Sequence, residues 1–323
     1  MCRLFGMTAG TKSASATFWL LDAPDSLEVQ SRRNVDGSGI GFFEPSGLPV
    51  LDKAPEPGFR DEQFISAARQ ATSTTFVAHV RWATAGARTV LNTHPFAMQG
   101  RIMAHNGGFG ELGRLDEQLG SYARLVLGDT DSERYFALIT QQIDVHGGDV
   151  GAGIAAAARW IGARLPVSSL NTVVAAPGEL WALRYPGQHA LHIIERPAGD
   201  SEPAGMTGGD GEPAGLTGGD GEPAGLTAGD GEPAGLSAGA QQASPVGLHV
   251  RSTMSSVHAP ALRAAPTVLV ASEELDGESG WRMLASGELV HVRPDLSVKS
   301  AVVIPEPPAR LVPLSAGGSN IDT

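Results

Sequence analysis

Short apolar runs broken by polar residues dominate the chain. They predict strands over Arg3–Thr8, Ser38–Phe43, Phe76–Trp82, Arg101–His105, Asn171–Ala175, Leu180–Tyr185 and Ala190–Ile194. A second group follows at Val246–Arg251, Thr267–Ala271, Glu288–Val292 and Val298–Val303. In Asp61–Ala71, Asp131–Val145 and the Ala-rich Val150–Leu165, apolar residues recur at three- and four-residue spacing instead, as in a helix with one face on a core. Many antiparallel-type strands and a few long helices predict an α+β fold: two packed antiparallel sheets covered by helices.

Between the two groups of strands the pattern disappears. From 197 to 245 the chain is mostly Gly, Pro, Ala, Asp and Glu, and the ten-residue unit Gly211–Asp220 recurs at Gly221–Asp230, with related copies starting at Ser201 and Gly231. Each unit offers a single Leu or Met, too little apolar surface to offset the entropy of ordering it. Solenoid repeats are longer and carry periodic apolar positions. The segment therefore reads as a disordered insertion. It interrupts one domain built from 1–196 and 246–310, and 311–323 reads as a flexible tail.

Composition narrows the classes of function. A formal charge of −12 argues against nucleic-acid and anionic-membrane partners. One cysteine in 323 residues excludes an internal disulfide and a zinc site built from cysteine pairs. His146, His189 and His249 lack ligand spacing, so neither a metal nor another cofactor is expected. No run approaches the roughly 18 apolar residues of a membrane span. Met1–Gly6 does not read as a secretory leader, which points to a cytoplasmic protein.

That single cysteine, Cys2, becomes the first residue once Met1 is removed, and its small side chain is one that aminopeptidases accept. A thiol and a free α-amine then share one residue. The thiolate is the nucleophilic form, and an α-amine with a pKa of about 7.7–8.0 can take the thiol proton near neutral pH. Nucleophile and base come as a unit, as with an N-terminal Thr and its own amine.

Five further segments carry residue types suited to amide chemistry on an amino acid. In His79-Val-Arg-Trp-Ala-Thr-Ala-Gly86, strand alternation puts His79 and Arg81 on one face. The planar fork of Arg81 suits a carboxylate, and Thr84 can add a hydroxyl from the turn before Gly86. In Met103-Ala-His-Asn-Gly-Gly108, the Asn-Gly pair reads first as a hairpin turn. The same pair can present the Asn106 amide and the Gly107 N–H side by side to an oxyanion. Asp129-Thr-Asp-Ser-Glu133 opens a helix, with Thr130 and Glu133 as a capping box and Asp131 left for a substrate ammonium. Asn34-Val-Asp-Gly-Ser-Gly-Ile-Gly41 and Asn92-Thr-His-Pro-Phe96 read as supports, with glycines for close backbone approach and His94 held extended before Pro95.

Taken together and in this order, Cys2–Gly6, His79–Gly86, His105–Gly107 and Thr130–Glu133 resemble the class II glutamine amidotransferases, N-terminal-nucleophile hydrolases with a four-layer αββα sandwich. The resemblance implies Cys2 as nucleophile, Asn106 and Gly107 as oxyanion hole, and Arg81, Thr84 and Asp131 as glutamine-binding residues; His79 and His94 are read from the sequence as supports. The nearest likeness is to a stand-alone bacterial group. Ala85 stands where sugar-amidating members often have His, and Ser38 where the stand-alone group commonly has Trp; both bear on the substrate pocket. The implied substrate is L-glutamine or another γ-glutamyl amide, with the ammonia passed to a separate synthase subunit or the amide simply hydrolysed. The rival reading is a glutamine-binding or regulatory protein that keeps the pocket without turnover.

Overall fold

The computed structural model describes residues 2–83, 86–198 and 265–314. Its first seven strands are β1 (Arg3–Thr8), β2 (Gly37–Phe43), β3 (Pro49–Ala54), β4 (Thr75–Arg81), β5 (Phe96–Met98), β6 (Arg101–Phe109) and β7 (Pro166–Ala176). Then come β8 (Glu179–Arg184), β9 (His192–Arg196), β10 (Thr267–Ala271), β11 (Arg282–Met283), β12 (Glu288–Val292), β13 (Val298–Val302) and β14 (Arg310–Leu311). The α-helices are α1 (Leu27–Ser31), α2 (Glu62–Gln70), α3 (Leu112–Leu119), α4 (Asp131–Val145) and α5 (Val150–Arg164). None of the described helices is long and apolar enough to cross a membrane.

The strands form two sheets, in the orders β11-β9-β10-β1-β4-β2-β3 and β13-β12-β8-β7-β6-β5. All of these neighbours are antiparallel; only β14, which joins β7 off the second path, is parallel. Side-chain alternation explains the layering. On β1, Phe5 and Met7 join Trp19, Leu27 and Phe64 under α1 and α2, whereas Leu4 joins Val77, Ala104, Val173 and Val270 between the sheets. A third cluster, with Phe136, Ile139, Ile154 and Ile161, seals α4 and α5 onto the outer face of the second sheet. The order is helices, sheet, sheet, helices: the four-layer αββα sandwich.

Helix starts follow from local chemistry. Asp61 Oδ1 accepts from the N–H groups of Gln63 and Phe64 at 3.0 and 3.1 Å, which starts α2. Thr130 Oγ1 accepts from Glu133 N–H at 3.2 Å and starts α4. The reciprocal half of the expected capping box is absent, because the Glu133 carboxylate accepts from Gly128 N–H at 2.6 Å. Ser38, expected near the substrate, faces α2 instead; its hydroxyl donates to Glu56 O at 2.9 Å and to Asp61 Oδ2 at 3.0 Å.

β9 and β10 are antiparallel neighbours, with Arg196 opposite Thr267, so the chain leaves and re-enters one sheet at adjacent positions. The strand expected over Val246–Arg251 and most of the 197–245 insertion lie outside the described residues. Residues 311 and 312, expected in the tail, pair with β7. Leu311 pairs with Val167, and Val312 N–H bonds Val167 O at 2.8 Å.

Candidate active site

β1 lies between β10 and β4 in the first sheet, with Arg3 opposite Val80. By strand parity Cys2, Arg81 and Asn106 all fall on the inter-sheet side, in line with Leu4, Val77 and Ala104. Contacts bear this out. Trp82 N–H donates to Cys2 Sγ at 3.2 Å, and Sγ lies 3.4 Å from Trp82 O. Across the gap, Asn106 Nδ2 donates to the Cys2 carbonyl at 2.9 Å, and Arg3 Nη1 reaches the same oxygen at 3.2 Å.

Asn106 and Gly107 do not form the expected hairpin turn. They lie inside β6, opposite Asn171 and Leu170 of β7. The glycine is required by its neighbour, since a Cβ there would lie 1.9 Å from Ser169 O. Ser169 Oγ donates to Asn106 O at 3.1 Å, and Asn106 Nδ2 also lies 3.5 Å from Ser272 Oγ. Ser272 is itself fixed to β1, because it accepts from Leu4 N–H and donates its own N–H to Leu4 O, both at 3.0 Å. Asn106, 3 % exposed, is therefore aimed at residue 2 by three strands.

The loop after β4 carries the next part of the site. Arg81, 4 % exposed, sends Nη1 to Ala87 O at 3.2 Å and Nη2 to Gly86 O at 3.4 Å. Asp36 accepts from Ala83 N–H at 2.7 Å and pairs with Arg88 at 2.5 Å, fixing both arms of the loop. Asn92 Nδ2 donates to Ala87 O at 3.1 Å, and Asn92 Oδ1 accepts from Asp129 N–H at 2.8 Å, which links this loop to the start of α4. Thr84 and Ala85 lie outside the described residues. Asp131 is not left free by the cap. Its carboxylate accepts from Phe109 N–H at 3.3 Å and Ser132 N–H at 2.8 Å. These bonds hold it toward β6, close enough that its charge acts on both Cys2 and Arg81.

Burial pushes the Cys2 thiol up from its ordinary value. The Trp82 backbone contact, the amino-terminal charge and Arg81 pull it back, while Asp131 adds to the rise. Burial likewise draws Arg81 down, against the carboxylates of Asp36 and Asp131.

His79 and His94 are buried behind the site rather than in it, with ring centroids 4.3 Å apart. Gly39 makes room for this packing, since a Cβ there would lie 2.3 Å from His94 O. His105 bridges Ser132 Oγ at 2.9 Å and Ser169 O at 3.2 Å, tying α4 to β7 beneath Asn106. Burial is the leading cause of a lowered pKa for all three imidazoles: His79 falls to about 3 and His94 well below its ordinary value. The unfolded chain protonates these rings near pH 6.5 and the folded chain does not. Below about pH 6.5 the unfolded state therefore binds more protons, and stability falls as pH drops toward 3. Urea midpoints should decline steadily from pH 6.5 to 4; a flat series would contradict neutral, buried imidazoles.

Residues 1–200 match the model of the family described as glutamine amidotransferases class-II. The chain belongs to that family. It is 30 % identical over 135 residues to the probable glutamine amidotransferase DUG3 of Saccharomyces cerevisiae, 38 % of each chain. It is 35 % identical over 117 residues to the gamma-glutamyl-hercynylcysteine sulfoxide hydrolase of Mycobacterium tuberculosis, 33 % of this chain and 49 % of that one. The chain thus spans less than half the length of either relative. Among solved structures, glutamine phosphoribosylpyrophosphate amidotransferase from B. subtilis superposes with a TM-score of 0.55 at 15 % identity, over 95 % of this chain and 50 % of that one. That likeness concerns the fold, and it agrees with the four-layer sandwich described above.

Proposed function

We propose that this chain cleaves the γ-amide of L-glutamine or a γ-glutamyl amide through a thioester on Cys2. The observation that carries the reading is the convergence of Cys2 Sγ, the Asn106 amide and Arg81 at one end of the inter-sheet space. A thiol pushed up by burial needs a base, and the α-amine exposed by loss of Met1 supplies one on the same residue. The thiolate attacks the γ-carbon while Asn106 Nδ2 and Gly107 N–H hold the oxyanion. The S–C bond forms, the C–N bond breaks, and the α-ammonium gives its proton to the departing nitrogen. The neutral amine then takes a proton from water, which hydrolyses the thioester to glutamate.

Arg81 and Asp131 receive the α-carboxylate and α-ammonium of the substrate, Thr84 is assigned a hydroxyl contact to the same head group, and His79 and His94 serve as supports. The acidic, single-cysteine composition suits a cytoplasmic enzyme. The ammonia or amine goes to a separate acceptor subunit or to solvent.

Arg81→Ala is the test of this assignment. Glutamate release from L-glutamine should lose a factor of at least about a hundred in kcat/KM, chiefly through KM, because a buried charge-assisted pair is lost. An unchanged KM would refute the clamp.

A further inference from the structure

A cavity of about 390 Å³ opens beside Asn106, lined by Arg3, His189, Ser272, Glu273 and Glu274 among others. Its wall shares Asn106 with the reaction centre and includes none of Arg81, Trp82 or Asp131. With the head group on Arg81 and Asp131 and the carbonyl oxygen on Asn106, the nitrogen substituent of a γ-glutamyl amide is directed to the remaining side of Asn106. Ammonia needs no cavity there. A larger amine does.

The wall is rigid. Arg184 donates from Nε to His189 O at 2.7 Å, from Nη2 to Gly187 O at 2.8 Å and from Nη1 to Leu284 O at 2.8 Å. Asn171 Nδ2 adds bonds to His189 O at 3.3 Å and Ala190 O at 3.0 Å. Within this fixed segment His189 is 6 % exposed, and its buried Nδ1 has no hydrogen-bond partner among the described residues. Burial holds the ring neutral, with a pKa lowered to about 4, so it can donate to or accept from a polar ligand.

The charges select the ligand further. Arg3 is already engaged by Glu273 and by the Cys2 carbonyl. Glu274 is 51 % exposed, and its carboxylate lies 4.0 Å from His192 Nε2. Carboxylates outnumber guanidinium groups in this wall, which favours a cation over an anion.

We propose that this cavity is the leaving-group subsite, and that the preferred substrates are γ-glutamyl amides of amines bearing a second, protonated nitrogen. The inference rests on the γ-glutamyl reading above and specifies its substrate class. As the Cys2 sulfur bonds the γ-carbon, the C–N bond breaks and the diamine leaves with the α-ammonium proton. Its distal ammonium faces Glu274 and donates a hydrogen bond to the neutral His189 ring.

The test measures kcat/KM of the full chain on L-glutamine, γ-glutamyl-ethylamine and the γ-glutamyl amide of diaminobutane. The diamine substrate should exceed the ethylamine one by about tenfold, the combined scale of a partly exposed charge pair and one hydrogen bond. Glu274→Gln should cut that ratio by about two- to fivefold. His189→Ala should lower the diamine substrate relative to the ethylamine one several-fold, one lost hydrogen bond, and leave the ratio of ethylamine substrate to glutamine unchanged. Turnover of glutamine with refusal of both larger amides overturns the subsite alone. Equal rates for the two amides, or a ratio indifferent to Glu274→Gln, overturns the charge preference. No turnover of any substrate overturns the γ-glutamyl reading as well.

Discussion

Cys2→Ala should lower release of glutamate from L-glutamine, or from any γ-glutamyl amide, by about ten-thousandfold or more, because the bond-forming atom is removed outright. The residue is half-buried, and among the described residues its thiol is hydrogen-bonded to the Trp82 backbone, so the fold loses little with it. The thermal midpoint should move by no more than a few degrees. Substrate binding should persist, since Arg81 and Asp131 are held by the loop after β4 and by α4 without help from residue 2. Turnover that survives Cys2→Ala would remove the thioester from the mechanism. Loss of both binding and thermal stability would make Cys2 a structural residue.

Asn106→Ala should act on kcat rather than KM, with a loss of about a hundred- to a thousandfold, the usual scale for removing one oxyanion donor. In the resting chain Asn106 Nδ2 lies 2.9 Å from the Cys2 carbonyl, and Ser169, Ser272 and β7 hold it there. A side chain fixed in advance spends no reorganisation during the reaction, which is why the effect falls on the chemical step. Single-turnover kinetics separates the two parameters. A rise in KM at unchanged kcat would make Asn106 a substrate-binding residue instead.

Local pattern located the elements whose ends carry their own signals. α4 occupies Asp131–Val145 as expected because Thr130 caps it, and β1, β10 and β12 match their apolar runs. β3 was not apparent, since Asp52 and Lys53 break its apolar pattern and it is half-buried at a sheet edge. α3 was missed for another reason. Its start has Glu111 at φ 56° and no side-chain cap, so no capping signal marks it.

At the site, the residue types were legible and their partners were not. Cys2, Arg81 and Asn106 stand out by chemistry alone, yet the Asn-Gly pair looked like a turn because pairing with β7 is invisible in the local sequence. Asp36 lay within a supporting segment, but its bond to Ala83 depends on a loop 47 residues away. Ser272 and His105 act through contacts with β1, α4 and β7 that no short motif encodes. His189 was set aside for lack of ligand spacing, and only the cavity reveals it.

Mass spectrometry of the full chain, rapidly quenched during turnover of a γ-glutamyl substrate, is the most direct test of a sulfur and an amine shared by one residue. The expected spectrum lacks Met1 and carries one glutamyl group, labile to hydroxylamine, on the peptide that begins with Cys2. An active protein that retains Met1, or one whose acyl group maps to another residue, would contradict it.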